Sequence, residues 1–267
     1  MVSLFLVRKQ LKKAEKIVIK LGTNTVLDSI GNFNQDLISS LLEEILLLRE
    51  KGKKIILVSS GAIGLGNTHM HWERSQDLLL NQCSASIGQS LLMHAYKSCA
   101  DVLGIKIAWV LLTREDFKDQ TRLGRIKKVL ERLTTLGVLV IINENDAVST
   151  EEITFGDNDI LAANVAKIVG AELLVLLSNV DGVYKDFASK EVISLITSIN
   201  QEMQACIQQG TSTGGKGGMS SKYLAAAQAS SALTVVANGS KKNSISKIVN
   251  GENLGTLFWL RPRNPQK

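Results

Sequence analysis

Two short stretches concentrate the residues most able to do chemistry, Ile142-Asn143-Glu144-Asn145-Asp146 and Gly156-Asp157-Asn158-Asp159. The first ends an apolar run from Val138 to Ile142, and a short apolar run of that kind reads as a buried strand. Ligands of open α/β sheets bind beyond the carboxyl ends of the strands, so Asn143 to Asp146 should stand at the rim of a site. The second returns acids and an amide at the start of a helix-like run. Such a density of acceptors suits an amine-bearing substrate, a metal ion, or a lysine that must be held in place. The same pattern fits a polar strand-to-helix turn with an Asp or Asn cap.

Three further segments offer groups for an anion. In Ile17-Val18-Ile19-Lys20-Leu21-Gly22 a lysine ends an apolar strand, where an anion would neutralise it and Gly22 would let backbone N–H groups approach; a snorkelling surface lysine is the bland alternative. In Val58-Ser59-Ser60-Gly61-Ala62-Ile63-Gly64 the amides of Gly61 and Ala62 suit phosphate or carboxylate oxygens at a helix start, with the Ser60 hydroxyl beside them. The spacing is not Gly-x-Gly-x-x-Gly, so the dinucleotide fingerprint is missing. The segment Gly210–Gly217 nearly matches a P-loop, but Gly217 stands where a Ser or Thr should bind magnesium and no strand precedes it. Beyond it, Gly218-Met219-Ser220-Ser221-Lys222 leads into an Ala-rich helix over Tyr223–Ser231. Lys222 in that first turn is disfavoured by the helix dipole, which points to a phosphate ligand.

The elements that position these groups alternate. Strand candidates are Lys16–Lys20, Lys53–Ser59, Ile105–Leu112, Val138–Ile142, Leu173–Leu177 and Leu233–Ala237. Gln35–Glu50 puts Leu37, Leu41, Ile45 and Leu48 on one helical face, and Gln76–Ala100 and Asp116–Leu136 are longer helical candidates. This order predicts right-handed crossovers and a parallel sheet covered on both sides, a three-layer αβα sandwich. The run Leu173–Leu177 is apolar throughout, as a central strand should be.

Composition narrows the classes. Hydrophobic residues make up 45% and charged residues 21%, ordinary for a globular domain. The net charge is +6, but aromatics are only 4% and the lysines are dispersed, so the interleaved pattern of a nucleic-acid surface is missing. An anionic small ligand accounts for the excess equally well. The 3 cysteines (Cys83, Cys99, Cys206) form no Cys-x-x-Cys pair and read as reduced packing residues. His69 and His71 read as surface loop residues, and 3 histidines in all argue against a histidine-rich metal site. The N-terminus lacks the order of a secretory signal, and no apolar run is long enough to cross a bilayer. A cytoplasmic protein is expected, with neither membrane nor nucleic-acid partners.

Taken together, Val18–Thr23, Val58–Ile63, Leu111–Arg114, Ile142–Val148, Gly156–Asp159, Gly218–Lys222 and Gly255–Phe258 resemble the amino-acid kinase family, most closely its glutamate 5-kinase branch. The resemblance runs in order from about residue 16 to residue 260. It implies an amino-acid kinase domain over 16–260, glutamate-binding in its N-terminal part and nucleotide-binding from about 170 to 260, with an extension at 1–15 and a tail at 261–267. It implies transfer of the ATP γ-phosphate to the γ-carboxylate of L-glutamate, the first step of proline synthesis, with Mg²⁺ carried by ATP and no metal ligand assigned to the protein. Lys20, Lys222 and Asp159 would be catalytic. Ser60, Gly61, Ala62, Asp146 and Asn158 would bind glutamate. Lys20, Gly22, Ser178, Asn179, Lys216, Gly217, Gly218, Met219, Ser220, Ser221 and Lys222 would bind the nucleotide. A homo-oligomer inhibited by proline is also implied.

The chain departs from the family pattern in places. Ser178-Asn179 replaces the usual Thr-Asp after Leu176-Leu177, Lys216 adds a charge to the Gly-rich loop, and Gly124-Arg125-Ile126 replaces an Asn-Ala-Arg segment. Many relatives carry a C-terminal PUA domain, associated with RNA; none is expected after Leu260. The rival readings are another carboxylate or carbamate kinase of the same fold, and a non-catalytic nucleotide-binding regulator.

Overall fold

A computed structural model describes residues 3–149, 158–186, 188–198 and 218–260. Every long strand candidate forms: β1 (Lys16–Leu21), β2 (Lys54–Ser59), β3 (Ile107–Leu112), β4 (Leu139–Glu144), β5 (Leu173–Ser178) and β7 (Leu233–Asn238). Two short strands, β6 (Leu195–Ile196) and β8 (Thr256–Phe258), complete an eight-stranded sheet in the order β3-β4-β2-β1-β5-β7-β8-β6. All neighbours run parallel except β7 and β8. From β1 the chain builds outward on one side through β2, then places β5 on the other side of β1. That reversal opens a crevice at the carboxyl ends of the central strands.

The period-2 alternation of a strand sorts the sheet into two cores. Ile17, Ile19 and Leu21 of β1 face the layer containing α1 (Leu4–Leu11), α3 (Gln35–Glu50) and α5 (Leu78–Val102). Val18 faces the opposite layer, built from α7 (Gln120–Thr135), α8 (Asn158–Val169) and α9 (Met219–Gln228). The same alternation in β2, β4 and β5 makes the three-layer sandwich that the sequence predicts.

Some elements differ from the sequence reading. The helix expected over Asp116–Leu136 is two, α6 (Arg114–Lys118) and α7, because Asp119 breaks it: its Oδ1 accepts from the amides of Thr121 and Arg122 and so starts α7. His69 lies inside α4 (Ala62–Met70) and not in a loop, while His71 closes that helix in the left-handed region at φ 56°. The expected helix over Tyr223–Ser231 begins earlier, at Met219. Cys83 is exposed and Cys99 buried; Cys206 and the Gly210–Gly217 loop lie outside the described residues.

Helix α1 is fixed by a buried cation. Arg8 is 2% exposed and donates to the carbonyls of Glu252, Leu254, Gly255 and Ser194 at 2.7, 3.0, 2.8 and 3.3 Å. Burial lowers its pKa to about 10, and it remains a cation at neutral pH. No helix among the described residues is long and apolar enough to cross a membrane.

Candidate active site

Lys20 is the penultimate residue of β1, paired in register with Val58 of β2 and Leu176 of β5. Alternation places it on the same face as Val18, below the N-termini of α8 and α9. Asp159 is the second residue of α8 and Lys222 lies in the first turn of α9. Lys20 Nζ meets Asp159 Oδ1 at 2.7 Å and Lys222 Nζ meets Oδ2 at 3.0 Å. The Ser221 hydroxyl reaches Oδ2 at 3.4 Å. All three charges are buried, with Asp159 at 0% exposure. Burial pushes the Asp159 carboxyl upward, but the two ammoniums outweigh it and hold its pKa down at about 2. One carboxylate between two cations leaves a net positive charge for an incoming anion.

Gly22 follows in the turn, its amide donating to Leu177 O at 3.3 Å. A Cβ there would stand 3.4 Å from Lys20 Nζ, so the residue keeps the space above that ammonium open. Helix α9 starts on Gly218 without a side-chain cap, which leaves its first amides to solvent or an anion. Met219 is buried, Ser220 exposed and Ser221 half-buried. Lys216 and Gly217 lie outside the described residues. Ser178 ends β5 and its carbonyl accepts from Gly239, while Asn179 is exposed beside it. The carboxylate at this rim is Asp181, which accepts from Lys241 at 2.8 Å and Asn238 at 2.9 Å. Those two hydrogen bonds hold its pKa below the ordinary value.

The acceptor side lies across the crevice. Ser60 follows β2, its amide bonded to Leu21 O at 3.1 Å. Gly61 then adopts φ 113°, a conformation that favours glycine, and starts α4 without a side-chain cap. Helix α4 packs against α5 through glycines: a Cβ on Gly88 would stand 1.8 Å from Ala62 O, and one on Gly66 would stand 1.9 Å from Ser84 O. This close approach fixes the position of the Gly61 and Ala62 amides. Asn158 Nδ2 donates to Ser59 O at 2.9 Å, Ser60 Oγ at 2.7 Å and Asn143 Oδ1 at 2.9 Å. Behind Ser60, Ser59 Oγ contacts the buried Tyr96 hydroxyl at 2.9 Å. Asp146 is half-buried in the turn that follows β4.

The fold thus brings Lys20, Asp159 and Lys222 into one cluster and Ser60, Asn143 and Asn158 into another, both at the strand ends. Sequence reasoning put Asn143 at the rim but gave it no role; its place after an apolar run was the available signal. It did not single out Gln89, Tyr96 or Asp181. Gln89, half-buried, and Tyr96, fully buried, lie inside a helix whose repeat resembles any packed helix, so nothing local marked them.

The donor set bears on metal binding. Among the described residues no group of three or more His, Cys, Asp or Glu side chains could hold an ion. Both oxygens of Asp159 already face ammoniums. With both of those oxygens engaged, this lining suits a divalent ion that arrives bound to nucleotide phosphates.

Comparison with known proteins agrees with this geometry. Residues 15–237 match the model of the amino acid kinase family. The chain is 39% identical over 259 residues to a glutamate 5-kinase of Myxococcus xanthus, covering 94% of this chain and 68% of that one. It is 37% identical over 260 residues to a glutamate 5-kinase of Alkaliphilus metalliredigens, covering 95% and 98%. Among solved structures, a Giardia carbamate kinase superposes with a TM-score of 0.63 at 17% identity, over 93% of this chain and 99% of that one. A UMP kinase from Bacillus anthracis gives 0.59 at 15% identity, over 92% and 96%. The solved structures bear on fold alone, whereas the sequence match spans the strands and both residue clusters: the chain belongs to the amino acid kinase family.

Proposed function

We propose that the chain is an ATP-dependent glutamate 5-kinase, which phosphorylates the γ-carboxylate of L-glutamate to glutamyl 5-phosphate at the start of proline biosynthesis. The observation that carries the reading is the Lys20–Asp159–Lys222 cluster at the mouth of the central strands, in a chain so similar to glutamate 5-kinases.

The chemistry needs little from the protein except placement and positive charge. A γ-carboxylate is already ionised at pH 7, so no general base is required. One of its oxygens bonds to the γ-phosphorus as the bond to the β,γ-bridging oxygen breaks, and that electron pair leaves on ADP. Negative charge accumulates on the transferring group, and Lys20 and Lys222 neutralise it from fixed positions. A preorganised donor of this type contributes ~3 kcal/mol to the transition state. Asp159 keeps both ammoniums aimed at one point. Mg²⁺ bound to the ATP phosphates would supply further neutralisation.

On this reading Asp146 accepts from the substrate ammonium, a charge-assisted contact worth ~1.5–3 kcal/mol that selects a free amine over an acylated one. Ser60 and Asn158 orient the same end, and the Gly61 and Ala62 amides face the acceptor carboxylate. The nucleotide lies over Gly22, Ser178, Asn179 and the segment 216–222. The division into a glutamate-binding N-terminal part and a nucleotide-binding part over about 170–260 belongs to the same proposal, as do a homo-oligomeric state and inhibition by proline.

The test is purified protein with ATP, Mg²⁺ and L-glutamate, trapping the acyl phosphate with hydroxylamine and measuring ADP. Glutamate-dependent hydroxamate is expected, with N-acetylglutamate and carbamate inert. Preference for either of those would move the chain to a sister activity. Tight ATP binding without glutamate-dependent ADP would mark a regulator.

A further inference from the structure

We propose that Gln89 is a positioning residue for glutamate recognition: it anchors the Asn143 side chain, which together with Ser59 O holds the Asn158 amide with its carbonyl oxygen towards the substrate's ammonium. The inference rests on the kinase reading above and assigns a determinant of its substrate selectivity.

The orientation of each amide follows from a backbone group. A carbonyl can only accept, so the Asn158 atom 2.9 Å from Ser59 O is its nitrogen. A backbone amide can only donate, so the Asn143 atom 2.9 Å from Glu144 N is its oxygen. That oxygen also accepts from Asn158 Nδ2 at 2.9 Å. The Asn143 nitrogen then turns away and donates to Gln89 Oε1 at 2.8 Å. Backbone groups thus set the sense of Asn158 and Asn143, and Gln89 holds the free end of Asn143 through its oxygen, its own nitrogen being buried without a hydrogen-bond partner.

The fold explains why the chain of amides crosses the sheet. Asn143 continues the alternation of Leu139 and Ile141, so it faces α5, where Gln89 sits. Asn158 opens α8 on the opposite layer. The relay thus spans the strand ends from one helical layer to the other. Helix α5 holds the neighbouring turn as well, since Gln82 Nε2 donates to Ser149 O at 2.8 Å, close in sequence to Asp146.

What the relay leaves over is informative. Asn158 Oδ1 is buried and has no hydrogen-bond partner. Buried acceptors are nearly always satisfied, and an orphan beside Ser60 in a ligand crevice calls for a donor from outside. An ammonium is such a donor and a carboxylate is not. Had Asn158 been flipped, its nitrogen would face the substrate and favour the wrong end. Gln89 lies at the far end of the relay and touches Asn143, not the substrate.

The experiment compares Gln89→Met and Gln89→Glu with the wild type in the glutamate-dependent ADP assay, with melting curves to establish that each is folded. Met removes the acceptor at similar length; Glu retains one. We expect Gln89→Met to raise the KM for glutamate about tenfold, about 1.4 kcal/mol. The KM for ATP and kcat should hold, and so should the inhibition constant of glutarate, which has no amine to misread. Gln89→Glu should recover most of the loss. If Gln89→Met fails to fold, Gln89→Asn withdraws the same oxygen by one methylene and should give the same selective rise. An unaltered glutamate KM, an equal rise for ATP or glutarate, or a Glu variant as impaired as Met would overturn the proposal. A wild type without glutamate-dependent turnover defeats the kinase reading instead, and the two failures are distinct.

Discussion

Asp159→Asn is the sharpest test of the charged cluster, because it removes one charge while preserving shape. Asp159 is fully buried, and Lys20 and Lys222 are 6% and 5% exposed. Without the carboxylate, two ammoniums face each other in a desolvated space. Cations bound to opposite oxygens of one carboxylate stand on the order of 5 Å apart, and at an effective dielectric of about 20 they repel by about 3 kcal/mol. Removing one member of a buried ion pair typically costs ~3–5 kcal/mol. For a chain of this size that lowers Tm by roughly 10 °C. Denaturant melts of both proteins at pH 7 measure the deficit. A loss under about 1 kcal/mol would refute the view that this carboxylate neutralises two buried cations.

Other expectations can be checked alongside. Lys222→Met should lower kcat by about 10²–10³ with the fold retained, and unchanged turnover would remove Lys222 from the chemistry. Gly88→Ala should destabilise by about 2 kcal/mol or more and raise the glutamate KM, because its Cβ drives α4 from α5 and shifts the Ala62 amide; chemical melts and steady-state kinetics report both. In the wild type, Asp159 contributes about 2 kcal/mol that is fully present above pH 4 and lost as pH falls from 4 to 2, since its folded pKa lies below its unfolded one. Acid titration of the unfolding free energy should show that loss, and Asp159→Asn should lack it.

The sheet was legible because its central strands carry nearly unbroken apolar runs such as Leu173–Leu177, and because polar residues mark where each run stops. Strands β6 and β8 were not, since two or three residues carry no periodicity and their pairing is decided by distant partners. The split between α6 and α7 turned on whether Asp119 caps a helix or decorates one, which local pattern does not decide. At the site, Lys20 and Lys222 stood out as anion ligands from their places at a strand end and a helix start, and Asp159 from its acidic cluster. Their joint role came from motif resemblance, and their spatial meeting comes from the fold. Gln89 escaped notice because a half-buried amide in an amphipathic helix has the same sequence signature as an exposed one.

The Arg8 clamp has a consequence for how the molecule is made. Its guanidinium binds carbonyls as many as 247 positions away in sequence. Helix α1 is synthesised early but obtains those partners only once the turn before β8 has left the ribosome. Until then an arginine bound for the interior stays hydrated, and the flank of the sheet it will seal stays open. Closing so long a loop costs only slightly more entropy than closing a shorter one, yet it delays the event. Docking of α1 is thus expected among the last steps of maturation, and nascent chains halted before residue 252 should expose this helix to protease.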